Sequence, residues 1–205
     1  MRFPLDHVAI ACTDLVAGEA WLTGLLGTAP DGGGAHPLMG THNRLWRLGP
    51  ADYLELIAID PAAPAIDRAP GRARWFGLDG FSGPPRVAGW VVQAPDTTPA
   101  PPGSRWETAS RGDLTWRITI ADSGLTGADG TDPALIDWGN APHPATRLPD
   151  RGLRLVRLAL SHPDAPDAEA PLSNLLPVAD PRVTRHRGPP GMVATIATPQ
   201  GEVTL

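Results

Sequence analysis

Two residue types in unusual places carry the chemistry of this chain. His7 lies within the run Leu5-Asp6-His7-Val8-Ala9-Ile10-Ala11-Cys12, and Glu55 interrupts Tyr53-Leu54-Glu55-Leu56-Ile57. A carboxylate between leucines is costly to bury unless it is paired, hydrogen-bonded or bound to a metal. An imidazole beside it offers three readings. The two could ligate a divalent ion; Zn, Fe, Mn and Ni all accept mixed nitrogen and oxygen donors. Without a metal, the pair makes a base and its orienting partner, able to remove a proton next to a carbonyl. The plainest reading is a hydrogen-bonded pair that keeps Glu55 ionised inside a pocket. Two ligands are too few for a tight metal site, so further donors would have to come from His36, His42, Asp137 or His143. In the metal-free reading, Arg117 and Arg157 would hold a carboxylate or an enolate. Arg157 shares its strand face with the small residues Ala159 and Ser161.

These groups need elements to hold them. The first run alternates, with Val8, Ile10 and Cys12 on one face and Leu5, His7, Ala9 and Ala11 on the other. The bulkier face suits packing beneath a helix. The small residues leave room beside His7. Asp14 is a good N-cap, Leu15, Leu22, Leu25 and Leu26 share a helical face, and Gly27 suits a left-handed helix end. Residues 29–41, with Gly32-Gly33-Gly34, read as a loop or distorted strand. Strands 42–48 and 53–59 flank the four-residue connection Gly49-Pro50-Ala51-Asp52. Tyr53, Glu55 and Ile57 share one face of the closing strand.

Further on, residues 72–78 suggest a short helix, and 86–93 and 114–120 read as strands. Residues 134–138 form a short strand carrying Asp137. Residues 95–103 hold four prolines and form a loop. The C-terminal part reads as a strand at 153–162, a short helix at 168–176, and strands at 183–187, 192–197 and 202–205. Residues 5–14 overlay 155–164 without gaps, placing Arg157 on His7, so the chain shows a weak internal repeat.

The chain has 205 residues with 41% hydrophobic content and 7 Trp, enough for a substantial core. Its 25 Pro and 23 Gly lie mostly between apolar runs, which indicates stiff loops. The net charge is -5 with no basic stripe, which argues against nucleic acid as a partner. Lysine is absent, which excludes a Schiff base. The single cysteine, Cys12, cannot form an internal disulfide and reads as a small buried hydrophobe. No signal peptide and no bilayer-length apolar run occur, so a cytoplasmic protein without a membrane partner is expected.

At Leu5-Asp6-His7-Val8-Ala9-Ile10, Gly40-Thr41-His42-Asn43, Tyr53-Leu54-Glu55-Leu56-Ile57 and Leu135-Ile136-Asp137-Trp138 with His143-Pro144, the chain resembles the vicinal oxygen chelate superfamily. Within that superfamily it is similar to the glyoxalase-like domain proteins. The resemblance implies an α+β fold in which paired βαβββ modules form a curved, incomplete barrel around a cup. One domain over 1–205 is expected. Its first module would lie at about 1–60, extra central strands at about 86–140 and a C-terminal module at about 152–205. In metal-using members each module gives a ligand from its first and its last strand. His7 and Glu55 occupy those places in the first module. Arg157 and Thr204 occupy them in the C-terminal one, so half of the metal site is present.

The resemblance implies an isomerase- or lyase-type enzyme acting on a small polar metabolite, with His7 and Glu55 at its centre. Asn43, Trp90, Arg117, Asp137 and Arg157 are the candidate substrate contacts. For Trp90 core packing is the competing role, and for Asn43 it is loop structure. The alternative is a non-catalytic small-molecule binder of the resistance type using the same cup. Such modules often pair between chains, so a homodimer is an expected assembly.

Overall fold

The computed structural model describes residues 3–64, 72–167, 170–171, 178 and 180–205. The first unit runs β1 (Leu5–Ala11), α1 (Leu15–Leu26), β2 (Gly32–His36), β3 (Thr41–Arg47) and β4 (Tyr53–Ile59). A 3₁₀ segment, Trp75–Gly80, precedes β5 (Arg86–Gln93), β6 (Ser104–Arg111), β7 (Leu114–Ala121) and β8 (Ala134–Asp137). After the short helix α2 (Pro144–Arg147) come β9 (Arg154–Ser161), β10 (Ala170–Pro171), β11 (Val183–His186), β12 (Gly191–Thr198) and β13 (Gly201–Thr204). The expected helix at 168–176 falls largely outside the described residues. No helix among the described residues is long and apolar enough to cross a membrane.

Local chemistry sets the first unit as the residues predict. The Asp14 carboxylate accepts from the Ala17 amide at 2.7 Å, and Gly27 ends α1 in the left-handed region at φ 71°. Gly18 lets α1 settle onto β1, since a Cβ there would lie 2.7 Å from the Cys12 sulfur. β2 is a true strand, and its glycines are there for lack of space. A Cβ on Gly33 would meet the Asn43 carbonyl oxygen at 2.2 Å, and one on Gly34 would meet the Arg111 stem at 2.9 Å.

Eight strands form one curled sheet in the order β2-β3-β4-β1-β5-β8-β7-β6. β1 runs parallel to β4, and β5 runs parallel to β8; β1 and β5 meet antiparallel. Strands β5–β8 therefore repeat the connectivity of β1–β4 in mirror order along the sheet. The unit that completes the cup with residues 5–59 is thus 86–137. The overlay of the first strand on residues 155–164 pointed elsewhere. A Pro-rich connection over residues 94–103 stands where α1 stands in the first unit, so the helical periodicity that would mark a second module is missing. β6 escaped notice for a related reason. It is a partly exposed edge strand, Ser-Arg-Trp-Glu-Thr-Ala-Ser-Arg, without a clean apolar alternation.

The other five strands form a second sheet, β10-β11-β9-β12-β13, with β9 parallel to β11. Its inner side, with Leu155, Leu158, Leu160, Ala194 and Ile196, joins α1 against the outer face of the large sheet, at Val8, Ile10, Leu54, Leu56 and Trp90. A second cluster, including Ala9, Ala11, Ile57, Val91, Trp116, Ile118 and Trp138, fills the inner face. Burying these apolar side chains supplies most of the stabilisation, at about 1.5–3 kcal/mol for each large one. Arg182 ties the sheets together, donating to Asp52 at 2.8 Å while paired with Asp180.

Candidate functional site

β1 and β4 lie side by side and parallel, so His7 and Glu55 project from neighbouring strands onto the same inner face. His7 Nε2 sits 3.5 Å from Glu55 Oε2, an ion-pair distance longer than a good hydrogen bond. The other Glu55 oxygen accepts from the Asn43 side-chain amide at 2.6 Å. Asn43 in turn accepts from the Gly34 amide at 3.0 Å, which locks its orientation between β2 and β4. Asn43 is fully buried and stands behind Glu55 rather than on the open wall of the cup.

The His7 ring is held from its far side by Asp6. Adjacent strand residues ordinarily face opposite ways. Here the β1–β5 register shifts between Leu5 and His7, and Asp6 Oδ1 lies 2.6 Å from His7 Nδ1. Asp6 is fully buried and also accepts from Trp138 Nε1 at 2.8 Å and faces His143 Nε2 at 3.0 Å. Tyr53 stacks on the His7 ring with centroids 4.6 Å apart. The sequence reading missed Asp6, although the rule that singled out Glu55, a carboxylate inside an apolar strand, applies to it equally.

Burial penalises every charge in this network, and the partners overcome the penalty. For His7, burial pulls downward, but the bonds and charges of Asp6 and Glu55 raise the pKa to about 9. For Glu55, burial pushes upward, yet His7, His36 and Asn43 bring it to about 2. Asp6 is likewise held below the ordinary carboxylate range despite its burial, by His143 and His7. The resting site is therefore an imidazolium between two carboxylates. His36, buried nearby with Nδ1 3.0 Å from the Thr41 hydroxyl, is pushed the other way, to about 4, mainly by burial and also by Arg111. It is neutral at pH 7.

The cavity against this network is lined by His7, His36, Tyr53, Glu55 and Arg111 at its polar parts and by aromatic rings with Ile118 and Ile136 elsewhere. The small residues of β1 do not keep it wide. Trp75 and Phe76 from the 3₁₀ segment pack in, and Phe76 occupies the space above Gly89, where a Cβ would lie 2.2 Å from its ring. Phe76 holds a left-handed φ of 55° to do so. The space open to water is about 20 Å³, room for a water or two. A groove of about 510 Å³, lined by Gly32–Gly34, Leu45, Asp113, Pro144, Arg147 and Leu148, adjoins it across Arg111.

The structure brings His7, Glu55 and Asn43 together and leaves the other candidate contacts outside. Trp90 points to the outer core, fully buried, and donates to the Thr131 carbonyl at 2.9 Å. Arg117 alternates with the inward Trp116 and Ile118, so it faces away and pairs with Asp96 at 2.8 Å. Asp137 accepts from the Asp96 and Gly139 amides, shaping a loop. Arg157 is exposed on the second sheet, beside Thr184. Arg111, on the unrecognised strand β6, is the arginine the cup contains. Its only sequence signal was a position beside Gly112-Asp113, which is the β6–β7 turn.

The cup's donors do not fit a three- or four-ligand metal centre. His7 and Glu55 offer two positions, but no group of three or more His, Cys, Asp or Glu side chains able to hold an ion converges among the described residues. Arg111 also puts a fixed positive charge on the same cavity.

Comparison with known proteins adds the following. Residues 5–176 match the family model described as Glyoxalase-like domain. No curated protein matches the chain. Solved structures to which the chain is similar include a variant of Streptomyces coelicolor methylmalonyl-CoA epimerase in complex with 2-nitronate-propionyl-CoA, 18% identical over 65% of this chain and 95% of that one, TM-score 0.41. Methylmalonyl-CoA epimerase from Mycobacterium tuberculosis is 23% identical over 66% and 87%, TM-score 0.42. A methylmalonyl-CoA epimerase in complex with methylmalonyl-CoA and NH4+ is 17% identical over 70% and 100%, TM-score 0.44.

Proposed function

The chain belongs to the glyoxalase-like domain family, and from that premise we propose that it is an isomerase- or lyase-type enzyme that moves a proton next to a carbonyl in a small polar metabolite. The observation that carries this reading is the His7–Glu55 pair on the cup wall, each member backed by a buried partner.

The roles follow from charge. His7 is an imidazolium whose Nε2 proton is only loosely engaged, so it donates to a substrate carbonyl oxygen. Glu55 removes the proton from the adjacent carbon. The electron pair of that C–H bond moves into the carbonyl, giving an enolate whose oxygen His7 stabilises. Return of the proton to the carbon isomerises the substrate, and expulsion of a leaving group completes a lyase reaction. With a resting pKa of about 2, Glu55 is a weak base while His7 faces it. A substrate oxygen that takes over the His7 proton removes that stabilisation and raises Glu55 toward a useful value. Asp6 and Asn43 are positioning residues in this scheme.

The test is hydrogen–deuterium exchange at carbon. A panel of small carbonyl compounds is incubated with the protein in D₂O and followed by proton NMR. A responsive compound is expected to lose its exchange by about 10²–10⁴-fold in Glu55→Gln. Exchange that survives the substitution undiminished refutes the catalytic role. The second reading, a non-catalytic binder of the same fold, draws on the aromatic walls and on the engagement of both Glu55 oxygens. Ligands that bind tightly and equally to wild type and Glu55→Gln, with no exchange in either, would establish it.

A further inference from the structure

Arg111 is unusual among the charged groups of this protein. The residue is buried, at 8% exposure, and its guanidinium makes no hydrogen bond or ion pair with any described residue. Its contact is with the face of Trp116, 5.8 Å from the ring centroid. A guanidinium this far inside a fold ordinarily finds a carboxylate or a carbonyl, because losing water without replacement is costly; here the groove side of Arg111 supplies water in place of a protein acceptor. On the same cavity, the Trp75 indole N–H is buried and has no partner. One cavity thus holds a permanent cation and an orphan donor, both lacking a protein acceptor. Gly34, pressed against the Arg111 stem, holds that side chain in place.

We propose that Arg111 and Trp75 form a carboxylate-binding end of the cup, which makes the ligand a small oxo-carboxylate. The inference rests on the cup being the substrate site and names the class of substrate it takes. Arginine suits a planar anion because its fork matches the two carboxylate oxygens. Trp75 supplies a third donor with a fixed direction. The opposite wall, His7 and Glu55, then faces the carbonyl and its acidic carbon. The interior has room for a water or two, so the acyl portion displaces that water and requires the Phe76 ring to yield, and any larger substituent leaves past Arg111 into the adjoining groove.

The experiment titrates the whole protein with propionate and with propionamide, its neutral isostere, and follows the tryptophan indole ¹H–¹⁵N resonances. Trp75→Phe identifies the Trp75 signal. Propionate is expected to move that signal and propionamide to leave it in place. Arg111→Gln is expected to weaken propionate by about tenfold or more, the loss of one charge-assisted contact. Arg111→Lys restores part of the affinity, and the remaining indole signals report whether each variant is folded. Equal response to the amide and the acid, or unchanged affinity in a folded Arg111→Gln, overturns the proposal. Glu55→Gln is expected to bind propionate at least as tightly as wild type, because it removes a negative charge from the same cavity. Carboxylate binding that stands while carbon exchange fails therefore removes only the catalytic reading. Exchange that stands while carboxylate binding fails removes only the anion end.

Discussion

Replacing Asp6 by asparagine tests the physical core of the site. The substitution keeps the shape but removes the charge that faces His7 Nδ1 at 2.6 Å, in a place with no exposure to water. It also puts an amide where the Trp138 and His143 nitrogens need an acceptor. Removing one partner of a buried pair costs about 3–5 kcal/mol, because the other charge is left uncompensated. The rise of the His7 pKa from 6.5 to about 9, which Asp6 and Glu55 produce together against burial, corresponds to a figure of the same order, about 3 kcal/mol at 1.36 kcal/mol per unit. That agreement sets the expected urea midpoint shift at about 1–2 M for a chain of this size. The pH dependence carries a sign. His7 binds its proton more tightly folded than unfolded, so its contribution is whole below about pH 6.5 and is lost as pH rises through about 9. Urea melts at intervals from pH 6 to 10 should show that alkaline decline in wild type and its disappearance in Asp6→Asn. A midpoint shift below about 0.3 M, or an identical alkaline decline in both proteins, would refute the reasoning.

Three further outcomes follow from the same structure. His36 is depressed to about 4 on folding, so the unfolded chain takes up a proton first as pH falls below 6.5; stability should decline between pH 6.5 and 4, and His36→Gln should flatten that limb in the same melts. Gly89→Ala drives a methyl group into the Phe76 ring, and a loss of about 1–3 kcal/mol with altered tryptophan fluorescence is expected. The Cys12 thiol is buried and pushed up to about 11, chiefly by burial, so it should resist Ellman's reagent in the native protein and react at once in urea.

The legible part of the fold was the part governed by near neighbours in the chain. Asp14 and Gly27 bound a helix because capping acts within three or four residues. β4, and β1 from His7 onward, read correctly because alternation has a period of two and needs no partner to be visible; Leu5, read onto the His7 face, lies in the outer core because the register shifts before His7. β6 did not, since an edge strand with one wet side dilutes that alternation. Trp90 and Arg117 were assigned to the cup on residue type, whereas strand parity sends both away from it.

Residue types alone determined that a carboxylate and an imidazole must share an interior, because neither Glu55 nor His7 could sit among leucines and alanines unaided. Which third group joins them, which arginine reaches them and how much space remains were decided by contacts between distant segments. Asp6 turns toward His7 through a shift in pairing with β5. Arg111 arrives because the sheet curls until β6 meets β2. Trp75 and Phe76 enter from a kinked connection after the first unit. Sheet curvature and loop entry are properties of the closed chain, set by packing across many strands at once, and no window of neighbouring residues encodes them.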